Sequence, residues 1–169
     1  MADFLVRNLR EADLATVGEL TVAAYLPYEP AGSGYFDLLR DVRPRFQDAF
    51  ANIVVETAAG QVVGAVNLST QDNAFAHLAA AGELEMRMLA VDPRFHRHGV
   101  GTMLVREVQK IAQENGFDRV VLSSRKNMVE AHRIYEKCGF ELDPSRFWEP
   151  VPGLEVFVYV WECPSVPTT

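Results

Sequence analysis

Residues 84–113 restrict the possible folds of this chain more than any other segment. Branched and long apolar side chains give 84–91 the character of a strand, and Asp92-Pro93 stops it. The turn that follows reads Asp92-Pro93-Arg94-Phe95-His96-Arg97-His98-Gly99-Val100-Gly101. Val100, Met103, Leu104, Val108, Ile111 and Ala112 then recur at helical spacing through 99–113, one apolar stripe ended by Gly116. A strand that passes through glycines into a helix leaves unpaired N–H groups at the helix start, so a basic turn there is suited to an anion. Taken alone, the same residues also fit a tight turn with exposed arginines. Two nucleotide-binding patterns do not fit. Leu104 occupies the place where a dinucleotide fingerprint needs a third small residue, and no Gly-Lys-Ser/Thr tripeptide exists.

Around this segment the pattern predicts a short strand at 4–7, a helix over 11–25 and a loop over 26–34 rich in proline and glycine. A second helix is predicted from Tyr35 and broken near Pro44. Strands are expected at 53–57 and 61–68 about an Ala59-Gly60 turn, and a loop over 70–82. A strand at 119–123 follows, then a helix over 128–138 opened by Asn127 with Glu130 and closed by Gly139. Late strands at 140–142 and 154–161 complete the order. This sequence of elements points to an α/β chain of the α+β kind, a mixed sheet flanked by helices.

The 169 residues are one domain's length, expected over 1–163 with a flexible tail over 164–169. A net charge of -7 argues against nucleic acid as main partner, and no run of about 18 apolar residues suggests a membrane span. The opening residues lack the pattern of a signal peptide, and two cysteines make no disulfide framework. The expectation is a cytoplasmic monomer or homodimer. No metal-ligand spacing joins His77 or His132 to cysteines or carboxylates, so no metal is expected. Cys138 is expected in the core.

Helical spacing stacks Asn127, Ala131 and Tyr135 on one face of the 128–138 helix, which also fits Tyr135 as a half-buried core aromatic. Together with the basic turn, the run from Asn127 to Gly139-Phe140 resembles the acetyl-CoA-dependent N-acetyltransferase superfamily called GNAT. That family carries Gln/Arg-x-x-Gly-x-Gly/Ala at its pyrophosphate turn and Asn-x-x-Ala-x-x-x-Tyr-x-x-x-Gly-Phe later. Here His96 stands at the Gln/Arg position, Met128 holds the usual asparagine position, and Asn127 lies one residue early. Ala131, Tyr135, Gly139 and Phe140 fall in place.

The resemblance implies a mostly antiparallel sheet and direct attack of a primary amine on acetyl-CoA, the acceptor being a small molecule or a peptide. Leu89, Ala90 and Val91 would hold the pantetheine arm. His96, Arg97, His98, Gly99, Val100, Gly101 and Thr102 would take the pyrophosphate. Asn127 and Ala131 would flank the arm, and Tyr135 would protonate the departing thiolate, since a phenol is protonated at neutral pH. Glu85 is the candidate base, on the strand face that alternation assigns also to Arg87, Leu89 and Val91, and Glu83 is a substitute. Glu85 equally reads as a carboxylate paired with Arg87. Tyr28, Tyr35 and Trp148 are candidates for binding the acceptor, with Glu29 and Glu149 able to attract a cationic amine. A reading from another class is a non-catalytic acyl-CoA-binding or sensing domain of the same fold.

Overall fold

The computed structural model describes residues 3–165. Residues 166–169, most of the expected tail, lie outside the described residues. Seven strands form one sheet in the order β1-β2-β3-β4-β5-β7-β6. They are β1 (Phe4–Asn8), β2 (Ala51–Thr57), β3 (Val62–Ser69), β4 (Glu83–Val91), β5 (Arg119–Arg125), β6 (Glu141–Leu142) and β7 (Val156–Glu162). Every neighbouring pair is antiparallel except β4 with β5.

Helices cover both faces. On one side are α1 (Leu14–Tyr25), α2 (Tyr35–Arg40) and α3 (Arg43–Gln47), and a core of Leu9, Val17, Leu20, Val42, Val54, Val62 and Ala65 lies beneath them. On the other side are α4 (Val100–Glu114) and α5 (Val129–Lys137). The larger core there joins Val100, Leu104, Val105 and Val108 of α4 to Val63, Val66, Leu68, Leu84 and Met86 of the sheet. All eight residues of β3 are buried, as a central strand covered on both faces requires. Cys138 is buried in the larger core.

Local departures from the sequence reading have physical causes. The helix expected to break near Pro44 breaks earlier, at Asp41-Val42, and Pro44 sits in the first turn of α3, where its missing N–H has no intrahelical partner to lose. Asn127 does not cap α5: Met128 holds that place without a side-chain bond. Gln109 is a buried polar residue on the apolar stripe of α4. Its Nε2 donates to the carbonyl of Cys138 at 2.7 Å, satisfying one of the free carbonyls at the end of α5.

The largest departure is in β4. Leu84 and Met86 share the α4-facing core with Leu89 and Val91, so the inward positions change from even to odd. The ladder with β3 shifts between Ala65 and Asn67, and Met88 has φ +54°. A β-bulge at Met88 therefore places Glu85 and Arg87 on the face opposite Leu89 and Val91, against simple alternation.

At the start of β4, the Glu83 carboxylate is buried and receives both Arg146 Nη atoms at 2.8 Å, Arg119 at 3.4 Å and the amide of Ala80 at 2.9 Å. Burial alone would raise this carboxyl. The Arg146 hydrogen bonds, the Ala80 amide and Arg119 outweigh it and hold the group below the ordinary glutamate range. Its stabilising effect is therefore complete above that range and lost as pH falls through the depressed value. Glu83→Gln should lower stability at pH 7 toward the lower end of the about 3–5 kcal/mol seen for broken buried pairs, because Arg146 stays partly in water. Chemical denaturation at pH 7 and below pH 4 should show that gap narrowing in acid; a gap independent of pH would contradict the assignment.

Candidate active site

The parallel ladder between β4 and β5 holds only Glu83 to Arg119, Leu84 to Val120 and Glu85 to Val121. Past these pairs the two strands separate, although β5 stays paired with β7 as far as Arg125. The edge of β4 beyond Glu85 is left without a strand partner among the described residues. Carboxyl ends of strands in α/β sheets are where ligands are usually held, and here a gap opens at that place. The gap is lined from both faces of the sheet. Ala24 and Tyr25 of α1, Met86, Met88 and Leu89 of β4, Ser123 and Ser124 of β5, and Ala131 and Tyr135 of α5 enclose a small cavity of about 80 Å³. It shares Tyr25, Met86, Met88, Ser123 and Met128 with a second cavity of about 470 Å³.

Tyr135 is 5 % exposed. Its ring packs near Tyr159 and Phe140, with centroids 5.5 and 6.0 Å away. Burial, followed by the neighbouring Tyr25 and Tyr159, pushes the phenol well above its ordinary value, so it keeps its proton throughout the physiological range. Ala131 and Met128 lie beside it on the cavity wall, whereas Asn127 is exposed and lines neither cavity.

The turn before α4 is exposed from His96 to Gly99. Arg97 and Gly99 take positive φ, +66° and +80°, and α4 begins at once. The first intrahelical bond runs from the Met103 amide to the Gly99 carbonyl at 2.9 Å, which leaves the preceding amides free of helical partners. A side chain on Gly99 would meet nothing within 4 Å, so the space beside this exposed residue is open. Gly101 has a different reason to be small: a Cβ there would stand 2.8 Å from Ile134 Cδ1 of α5. Val100 and Ala90 are buried by their side chains, and only their backbone can face a ligand. Arg94 does not add free positive charge to the turn, because its guanidinium lies 2.7 Å from the Asp92 carboxylate.

The larger cavity gathers Glu85, its expected face-mate Arg87, Tyr35 and Trp148, together with His77 and Arg125, to which the sequence pattern gave no part in the site. Tyr28 lines the smaller cavity instead. Glu85 is 1 % exposed, and its Oε2 accepts the backbone amides of His77, Leu78 and Ala79 at 2.9, 2.9 and 3.1 Å. Its Oε1 lies 4.0 Å from Arg87 Nε. Trp148 donates its indole N–H to Ser123 at 3.1 Å, which fixes the loop over 147–155 against β5. Glu29 is not free to attract a cation: it pairs with Arg125 and accepts from Ser33. Glu149 is exposed and lines neither cavity. Glu83, the substitute base, is occupied by Arg146 and Arg119 as described above. Among the described residues no group of three or more His, Cys, Asp or Glu is placed to hold a metal ion, and no helix is long and apolar enough to cross a membrane.

Comparison with known proteins agrees with this layout. The profile of the Acetyltransferase (GNAT) family matches residues 16–140. Glucosamine 6-phosphate N-acetyltransferase of Trypanosoma brucei brucei is 27% identical over 141 residues, which cover 83% of this chain and 90% of that protein. N-acetylaspartate synthetase of Danio rerio is 31% identical over 86 residues, 51% of this chain but only 28% of that longer protein. Among solved structures, a GNAT-family acetyltransferase from Staphylococcus aureus Mu50 matches with a TM-score of 0.76 at 13% identity, covering 96% of this chain and 100% of its own. PaiA N-acetyltransferase of Thermoplasma acidophilum, solved with coenzyme A, matches at 0.70 and 19% identity over 95% and 99% of the two chains. At these identities the structures testify to the fold, and the family profile extends over most of the chain. The chain belongs to the GNAT acetyltransferase family and is an acyltransferase.

Proposed function

We propose that the chain transfers the acetyl group of acetyl-CoA to a primary amine by direct attack. The observation that supports this most is the meeting, in one gap, of an unpaired β4 edge, a buried protonated phenol and a cavity of acceptor size. The backbone of Leu89, Ala90 and Val91 holds the pantetheine arm as an added strand would, hydrogen bonding where β5 has drawn away. Free amides from Arg97 to Thr102, with the Arg97 side chain and His96 and His98 nearby, bind the pyrophosphate at the positive end of α4. Ala131 leaves room for the arm to pass.

The acceptor enters from the larger cavity, between Tyr35 and Trp148. Glu85 takes a proton from the incoming ammonium through Oε1, the oxygen not engaged by the 77–79 amides. The free amine nitrogen then bonds to the thioester carbonyl carbon and the carbon–sulfur bond breaks; Tyr135 gives its proton to the departing thiolate and recovers one from the nitrogen, which turns cationic as it bonds, so the products are the amide, the free thiol and the one proton left on Glu85. Burial keeps the phenol protonated, so the proton is in place when the thiolate departs.

Two experiments test the reading. Tyr135→Phe keeps the ring that packs on Tyr159 and Phe140, so the fold should hold while kcat falls about 10²–10⁴-fold, the usual worth of a general acid, with KM for acetyl-CoA little changed. Full activity in a free-thiol release assay would remove Tyr135 from the chemistry. Binding of CoA with no thiol release against any amine would favour the sensing reading. Gly99→Val sets a branched side chain at positive φ over the exposed amides, and CoA affinity should drop at least about tenfold through strain and blockage. Unchanged affinity by calorimetry would place the pyrophosphate elsewhere.

A further inference from the structure

We infer that the acceptor is a free α-amino acid with an apolar side chain, its carboxylate held by the unused edge of Arg87 and its ammonium by Glu85. The inference rests on the acetyl-transfer reading of the cleft and narrows it to a substrate class.

Glu85 and Arg87 lie two residues apart on one face of β4, before the bulge, and both line the larger cavity. Arg87 is anchored from one side only. Its Nη1 donates to the Phe75 carbonyl at 2.7 Å and faces His77 Nε2 at 3.5 Å. Among the described residues the Nε–Nη2 edge makes no hydrogen bond, and its nearest carboxylate oxygen is Glu85 Oε1 at 4.0 Å. Two parallel N–H groups on a rigid plane match the two oxygens of a carboxylate better than any other common partner. A guanidinium cannot lose its proton to relieve an unmatched site, so this edge needs an anion or water.

Glu85 complements it. With Oε2 saturated by three amides, Oε1 is the remaining acceptor, and it points to the same neighbourhood as the Arg87 edge. An anion beside a carboxylate would be repelled unless it brought a positive charge of its own. A zwitterion with ammonium and carboxylate on one carbon satisfies both groups at once. The cavity's other ion pair does not compete. Arg125 is spent on Glu29, the Tyr28 carbonyl and the face of Tyr35. Burial first, then Arg87, holds His77 below the ordinary histidine range, so it adds no second positive charge near neutrality.

The same cavity is also lined by Trp148, Val151 and Leu154, which suit an aliphatic or aromatic side chain. The volume of about 470 Å³ falls within the range of small-molecule sites. A peptide N-terminus has an amide where the free acid has its carboxylate, and would offer the Arg87 edge one uncharged acceptor in place of two charged ones.

The test compares phenylalanine, phenylalaninamide and phenethylamine as acceptors for the full chain at saturating acetyl-CoA, by thiol release. Phenylalanine should exceed both others in kcat/KM by about a hundredfold, and Arg87→Gln should bring the ratio near one. Equal or better acetylation of the amide by the unaltered protein would overturn the inference while leaving acetyl transfer intact. If no amine released thiol, the acetyl-transfer reading would fail on its own account. Calorimetric titration of the CoA-loaded protein then decides: tighter binding of phenylalanine than of its amide supports the Arg87 edge, and equal or absent binding overturns it.

Discussion

The site depends on how soon the parallel ladder between β4 and β5 ends. Three residue pairs hold the two halves of the sheet together, and beyond Glu85 and Val121 the strands part. Backbone N–H and C=O groups in a buried gap cannot stay without partners, so an edge left open in the centre of a sheet is a request for another polar chain or for water. Elsewhere the sheet is continuous: β2, β3 and β7 are paired along nearly their whole lengths. Both cavities lie along the same divergence, and the smaller one brings residues of α1, β4, β5 and α5 to one point.

The bulge at Met88 supports this arrangement at some cost. A non-glycine residue at φ +54° is unfavourable by about 1–3 kcal/mol and persists only where the surroundings over-determine it. In return, β4 presents two chemistries in nine residues. Before the bulge, Glu85 and Arg87 face the larger cavity; after it, Leu89 and Val91 turn to the α4 side. A regular strand would put all four on one face.

Much of this was legible in the sequence, and what was not has identifiable reasons. The strand, basic turn and amphipathic helix over residues 84–113 could be read because each obeys a local rule: a period of two, glycines at a turn, a period of 3.6. Tyr135 could be placed by motif but not by periodicity, which equally allowed a core aromatic. Alternation failed at Met88 because no glycine marks the bulge. Glu29 looked available since nothing near it in sequence neutralises it; its partner, Arg125, is 96 residues away. Arg87 was expected on the face of Glu85, two residues along the same strand, whereas His77 went unassigned because its relation to Glu85 runs through a loop whose path only the fold reveals. Asn127 and Met128 differ by one residue, and on a helix entrance that turns a side chain from the cleft to solvent.

Gln109 and Gly101 are small features with a mechanical consequence. The amide of Gln109 ties the middle of α4 to the end of α5, and the missing side chain of Gly101 lets Ile134 press against the first turn of α4. The two helices are thereby tied to each other at two points, one helix following the basic turn and the other carrying the Tyr135 phenol. The cleft they line opens where the short β4–β5 ladder, three pairs long, is all that joins the two halves of the sheet.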